Sequence, residues 1–164
     1  MLPFRPAIAA PRLPEGYSLH QDAEVAGPLA AADRSGLAEE LNRLLLASGD
    51  QPRSPERWRQ TLECSTWHLR ISDREGRTVG FVRATSDQAL NANLWDLLSD
   101  PADPCRDEVL QALVRCALAR LRRELGGCSI SLSAPPEAIE AVSQAGFVVD
   151  PGGIRAMGLA LRQP

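Results

Sequence analysis

Residues 93–125 read NLWDLLSDPADPCRDEVLQALVRCALARLRREL, and the change of hydrophobic period inside them decides the fold. Asn93 to Leu98 is a short, largely apolar run ended by Asp100-Pro101, the pattern of a strand that stops at a proline. From Asp107 the spacing changes. Val109, Leu110, Leu113, Cys116, Ala117 and Leu121 form one stripe at helical period, so 107–125 is predicted as a long helix. Arg115, Arg120, Arg122 and Arg123 gather at its far end, where positive charge complements the helix dipole. Gly126-Gly127 stops it. Cys128 to Ser133 (CSISLS) is then a buried-type strand, which completes one β-α-β crossover.

Upstream, Thr66 to Ile71 alternates, Asp73-Arg74-Glu75-Gly76 makes a turn, and Thr78 to Thr85 (TVGFVRAT) returns, so the pair is a hairpin. Gly16 to His20 reads as a short first strand. Leu37, Leu41, Leu44 and Leu45 recur at helical spacing over 36–47. Ser54 is positioned as an N-cap, with Pro55 at the first helical position of a short helix that runs to about Glu63 and buries Trp58 and Leu62. Downstream, Pro135-Pro136 opens a helix that ends at Gly146. Phe147 to Asp150 and Ile154 to Leu161 are expected as closing strands around Pro151-Gly152-Gly153. A hairpin-rich sheet followed by one crossover gives an α/β fold, a mixed and mostly antiparallel sheet of six to seven strands with helices on both faces.

Composition narrows the function classes. The chain has 164 residues, 44% of them apolar, enough for one domain with one sizeable core. Net charge is −3, which argues against nucleic acid as a partner, since phosphate binding needs a basic surface. All 18 basic residues are arginine, so the folded protein offers no lysine for acetylation. No run of about 18 apolar residues is present, and a membrane partner is not expected. Residues 1–15 carry Pro3, Pro6, Pro11 and Pro14, which break any helical apolar region and make a secretory signal unexpected. They read as a loose extended arm before a single domain over 16–164. Cys64, Cys105, Cys116 and Cys128 form no C-x-x-C pair, so no metal is expected and reduced thiols in a cytoplasmic protein are.

The element order, together with Val79-Gly80-Phe81-Val82-Arg83, Leu94 to Pro101, SISLSAPPEAIEAVSQAGF at 129–147 and Gly152 to Met157, resembles the GNAT superfamily of N-acetyltransferases. Within it the likeness is to the small cyanobacterial and chloroplast-type branch, over about 16–161. The resemblance implies that the strand at 93–99 splays from its neighbour. Backbone groups of Leu97, Leu98 and Ser99 would then bind the pantetheine arm of acetyl-CoA. It also implies a Q/R-x-x-G-x-G/A segment at the start of the long helix, where small residues let the backbone approach a diphosphate and free N–H groups receive its charge.

This sequence departs from that pattern twice. Aligned from Gln111, Cys105 takes the Gln/Arg place, Glu108 the first glycine and Leu110 the final small residue; residues 102–125 contain no glycine. A carboxylate at Glu108, with Asp107 beside it, would face a group of its own sign. Two like charges about 4 Å apart repel by about 4 kcal/mol at an effective dielectric of about 20. Arg106 is the remaining group that could contact phosphate. The second departure is Val142, which stands where the resemblance places a tyrosine that protonates the departing thiolate. Tyr17, in the first strand, is the one tyrosine of the chain and is not expected to reach that point. For a base, Asp96 on the splayed strand and His68 on the hairpin are the candidates, each with a purely structural alternative.

Three readings follow. The first is a non-catalytic binding or regulatory module with a protein partner and no cofactor. Its candidate surfaces are the arginine-rich helix end, the N-terminal arm, and Trp58 with Trp67. The second is an active acyl-CoA-dependent N-acetyltransferase with an atypical cofactor loop. The third is a subunit that donates surface to a competent partner.

Overall fold

The computed structural model describes residues 12–22 and 31–153. Strand β1 (Ser18–Asp22) is followed by helices α1 (Ala31–Ala47) and α2 (Pro55–Glu63). Strands β2 (Trp67–Ser72), β3 (Thr78–Ser86) and β4 (Asn91–Ser99) come next. Helix α3 (Arg106–Glu124), strand β5 (Ser129–Leu132) and helix α4 (Ile139–Gln144) complete the main elements, with short 3-10 turns at Pro136–Ala138 and Pro151–Gly153.

The sheet has the order β1-β2-β3-β4-β5. The first three pairings are antiparallel, and β4 pairs with β5 in parallel. That parallel pair is the crossover through α3 expected from the change of period. One face of the sheet carries Leu69, Ile71, Val82, Ala84, Leu94 and Leu97 against the stripe of α3 and α4. The other carries Phe81 and Leu98 against Leu41, Leu44 and Leu45 of α1 and Trp58 of α2.

Local chemistry explains the element ends. Ser54 caps α2 by accepting the Arg57 N–H on Oγ. In the β2–β3 turn, Asp73 Oδ1 accepts the N–H groups of Glu75 and Arg77 at 2.9 Å, and Gly76 takes φ +80°. Helix α4 closes with Gly146 at φ +100°, its N–H bonded to Ser143 and that of Phe147 to Val142, a Schellman ending. Gly80 is required for a different reason. A Cβ there would lie 2.6 Å from Val109 Cγ1 and 2.9 Å from Leu113 Cδ1, so α3 presses directly on the β3 backbone.

Several expectations are corrected. Among the described residues the sheet has five strands, not six to seven. Residues 147–150 do not pair: Val148 and Val149 are exposed, Asp150 has φ +45°, and the chain turns at once into Pro151–Gly153. The expected strand at 154–161 and residues 1–11 of the expected arm lie outside the described residues. The helix expected from Pro136 to Gly146 is a 3-10 turn, Pro136–Ala138, and then α4. Helix α1 starts at Ala31, before the expected 36. Trp58 and Trp67 are fully buried, so they belong to the cores and form no docking surface. Arg120 is also buried, over the Trp67 ring and paired with Glu124, which removes it from the exposed arginine cluster.

Candidate functional site

The site lies where β4 leaves β5. Their ladder joins Asn91 to Leu94 with Ser129 to Leu132 and ends there, while β4 continues to Ser99. On its other edge β4 stays paired with β3, with Leu98 opposite Phe81 and Ser99 opposite Gly80. The half of β4 that carries Leu97, Leu98 and Ser99 is therefore a strand with one partner, as a splayed cleft requires. Their side chains are buried, Leu97 among the α3-side core and Leu98 among the α1-side core.

A bulge sits at the divergence. The β3–β4 register shifts between Phe81 and Arg83, and Asp96 adopts φ +51°. A left-handed conformation is costly for a residue other than glycine, and a bulge re-aims the side chain that bears it. The Asp96 carboxylate accepts from Arg53 Nη2 at 2.6 Å on one oxygen and from Arg83 Nε at 2.5 Å on the other. Burial pushes its pKa up, but the two guanidinium hydrogen bonds outweigh that and hold it below the ordinary carboxylate value. A carboxylate in that state is a weaker proton acceptor than an ordinary one. His68, the other candidate base, is buried on β2 opposite Arg83, its ring 5.7 Å from that of Phe81.

The start of α3 is built from side chains of this chain. Asp103 accepts the Cys105 N–H at 2.8 Å and the Tyr17 hydroxyl at 3.1 Å on each carboxylate oxygen. Partial burial, with Cys105 and Asp103 beside it, raises the Tyr17 pKa and keeps the phenol protonated. Arg106, the first residue of α3, donates from Nε to Ser99 Oγ at 3.0 Å and from Nη2 to Glu137 at 2.9 Å. It thus ties the end of β4 to the 3-10 turn that follows β5. Asp107 and Glu108 are exposed in the first turn. Val142 is buried in the core on α4.

Sequence reasoning placed Leu97, Leu98, Ser99, Asp96 and Arg106 around one divergence of strands, and the structure brings them there. It missed Arg53, Glu137 and the contact of Tyr17 with Asp103. These partners are 43, 31 and 86 positions apart in the chain, and no local pattern signals them. Arg83 was legible in principle, since the hairpin register sets it opposite Trp95, next to Asp96. Among the described residues, no group of three or more His, Cys, Asp or Glu is arranged to hold a metal ion. No helix among them is long and apolar enough to cross a membrane.

Comparison with known proteins follows the same lines. No protein-family model matches the chain. The chloroplastic GCN5-related N-acetyltransferase 1 of Arabidopsis thaliana is 31% identical over 162 residues, 94% of this chain and 79% of that protein. The chloroplastic serotonin N-acetyltransferase 2 of Oryza sativa is 34% identical over 120 residues, 71% of this chain and 59% of that protein. Among solved structures, a GNAT family acetyltransferase of Streptococcus pneumoniae superimposes with a TM-score of 0.63 at 15% identity, over 90% of this chain and 99% of that one. Strand order, splay and sequence likeness agree: the chain belongs to the GCN5-related N-acetyltransferase family.

Proposed function

We propose that this chain is a GNAT-fold binding or regulatory module whose acetyl-CoA site is degenerate, with a protein as its partner. The observation that carries the reading is the position of Arg106. Among the described residues, the one cation at the head of α3 that could meet a diphosphate is already engaged by Ser99 and Glu137. The Cys105 N–H is likewise engaged by Asp103. Two internal carboxylates, Asp103 and Glu137, therefore already take up these groups, and the exposed acids Asp107 and Glu108 add charge of the same sign. These residues do not fit a diphosphate. The buried Val142 supplies no proton donor. General-acid help is worth about 10²–10⁴-fold, so its loss slows acyl transfer without forbidding it. For a protein partner, the exposed Arg115, Arg122 and Arg123 at the far end of α3 are the charged surface that remains of the expected cluster. A cytoplasmic location remains part of this reading, although the two plant relatives are named as chloroplastic.

A second reading, an active N-acetyltransferase with an atypical cofactor loop, is favoured by the retained splay of β4 from β5 and the bulge at Asp96. Thermal unfolding with acetyl-CoA separates the two. A ligand at 100 times its Kd stabilises by about 2.7 kcal/mol, a shift of several degrees for a domain of this size. The module reading expects no shift at millimolar acetyl-CoA. A clear shift, or turnover of any amine, overturns it.

A further inference from the structure

A second cluster of charged side chains lies on the sheet face opposite α3. There Asp96 is shared by two guanidinium groups. Arg53 gives it one N–H and Arg83 gives it one, so among the described residues two positive charges meet one negative charge. The side chains are only 28%, 16% and 10% exposed for Arg53, Arg83 and Asp96. A surplus cation that is partly withdrawn from water attracts a further anion more strongly than a fully solvated one.

Both guanidinium groups are also held before any ligand arrives. Arg53 lies 4.6 Å from the centroid of the buried Trp58 ring, and its backbone N–H and C=O are both bonded to the Asn42 side chain. Asn42 also receives the Trp58 indole N–H, so one residue of α1 positions the loop and the ring together. Arg83 lies 5.8 Å from the centroid of Trp95. Trp95 is 42% exposed, and its indole N–H is fixed on Thr85 Oγ1 at 2.8 Å. Each arginine has five N–H donors and spends one on Asp96, so donors remain for a second carboxylate beside an open aromatic face. Aromatic stacking, a shared carboxylate and a strained bulge at Asp96 over-determine this geometry. An ordinary surface ion pair has no such support.

We infer that Arg53 and Arg83, braced by Asp96 and flanked by Trp95, form a binding site for a carboxylate. The carboxylate comes either from a small aromatic acid or from the C-terminus of a peptide. None of these residues touches Arg106 or Glu137, so the inference does not rest on a closed cofactor cleft.

The test uses the full chain labelled with nitrogen-15 and three probes: benzoate, N-acetyl-glycylglycine and the C-terminal amide of that dipeptide. Both acids are expected to shift the Trp95 indole and the Arg53 and Arg83 Nε–H resonances, and the amide is not. Tighter binding of benzoate identifies a small aromatic acid as the source, and tighter binding of the dipeptide acid identifies a chain end. Arg53→Gln and Arg83→Gln should each weaken acid binding at least tenfold, about 1.4 kcal/mol. Trp95→Ala, on an exposed ring, tests the same site should either arginine variant fail to fold, and it should weaken benzoate severalfold. Three results overturn the inference: equal shifts from acid and amide, no shift from either acid up to tens of millimolar, or undiminished acid binding in the folded variants.

Discussion

Arg106 opens α3 and pairs with Glu137, 31 positions later, at 2.9 Å. The pair joins two elements that flank the gap between β4 and β5, the head of α3 and the 3-10 turn after β5. Both side chains are about a quarter exposed. The pair therefore contributes little to stability, about 1 kcal/mol or less.

That small contribution makes the cofactor question testable by gain of binding. Glu137→Gln should release Arg106, and Glu108→Gly should remove a carboxylate from the first turn. The double variant should remain folded and lose no more than about 2 kcal/mol, most of it the helix cost of glycine. It should show a thermal shift with millimolar acetyl-CoA where the unaltered chain shows none. An unaltered chain that already shifts would show that its cofactor site is open as it stands.

Restoring the missing phenol is expected to fail for a packing reason. Val142 is buried on α4 against the α3-side core. Val142→Tyr adds bulk to a filled position and should cost about 1–3 kcal/mol. Urea denaturation would read this as a lower midpoint. A variant as stable as the parent would mean that α4 has room for a tyrosine beside it.

Gly80 sets the distance between α3 and the sheet. Gly80→Ala places a methyl 2.6 Å from Val109 Cγ1 and 2.9 Å from Leu113 Cδ1. One of the two elements must move, at a cost of about 1–3 kcal/mol. Because α3 carries Arg106, the movement should also disturb the Arg106–Glu137 contact. An unchanged unfolding midpoint would contradict the close packing.

Asp96 carries a pH signature. Its folded-state pKa lies below the ordinary carboxylate value of 3.8, because the hydrogen bonds of Arg53 and Arg83 overcome the effect of burial. A carboxylate lowered on folding stabilises the folded state above the unfolded value and loses that contribution as pH falls through the folded value. Asp96→Asn should cost about 2–3 kcal/mol at neutral pH, since it leaves two arginines facing each other. Below pH 3.8 the difference between variant and parent should shrink. A difference that stays constant through that range would show that the charge of Asp96 is not what stabilises the site.

Much of the fold was legible because its signals are local. The period change into α3, the Asp73–Gly76 turn, the Ser54 cap and the Gly146 ending are each written within a few residues. They survive in the structure for the same reason. The closing strand at 147–150 failed because its apolar run, Phe147 to Val149, is overruled by the turn that follows. Local β-propensity does not register the turn at Asp150, whose φ is +45°.

The site divides along the same boundary. Sequence alone determined which residues stand at the head of α3 and on the splayed half of β4, and that residues 102–125 contain no glycine. Only the tertiary structure decided that Arg106 is consumed by Glu137, that Tyr17 rests on Asp103, and that Arg53 and Arg83 share Asp96. Those contacts join residues tens of positions apart through hydrogen bonds that hold only within a few ångströms. Helical and strand periods specify neighbours along the chain, while packing of α1, α2 and α3 on a twisted sheet brings distant side chains within that reach.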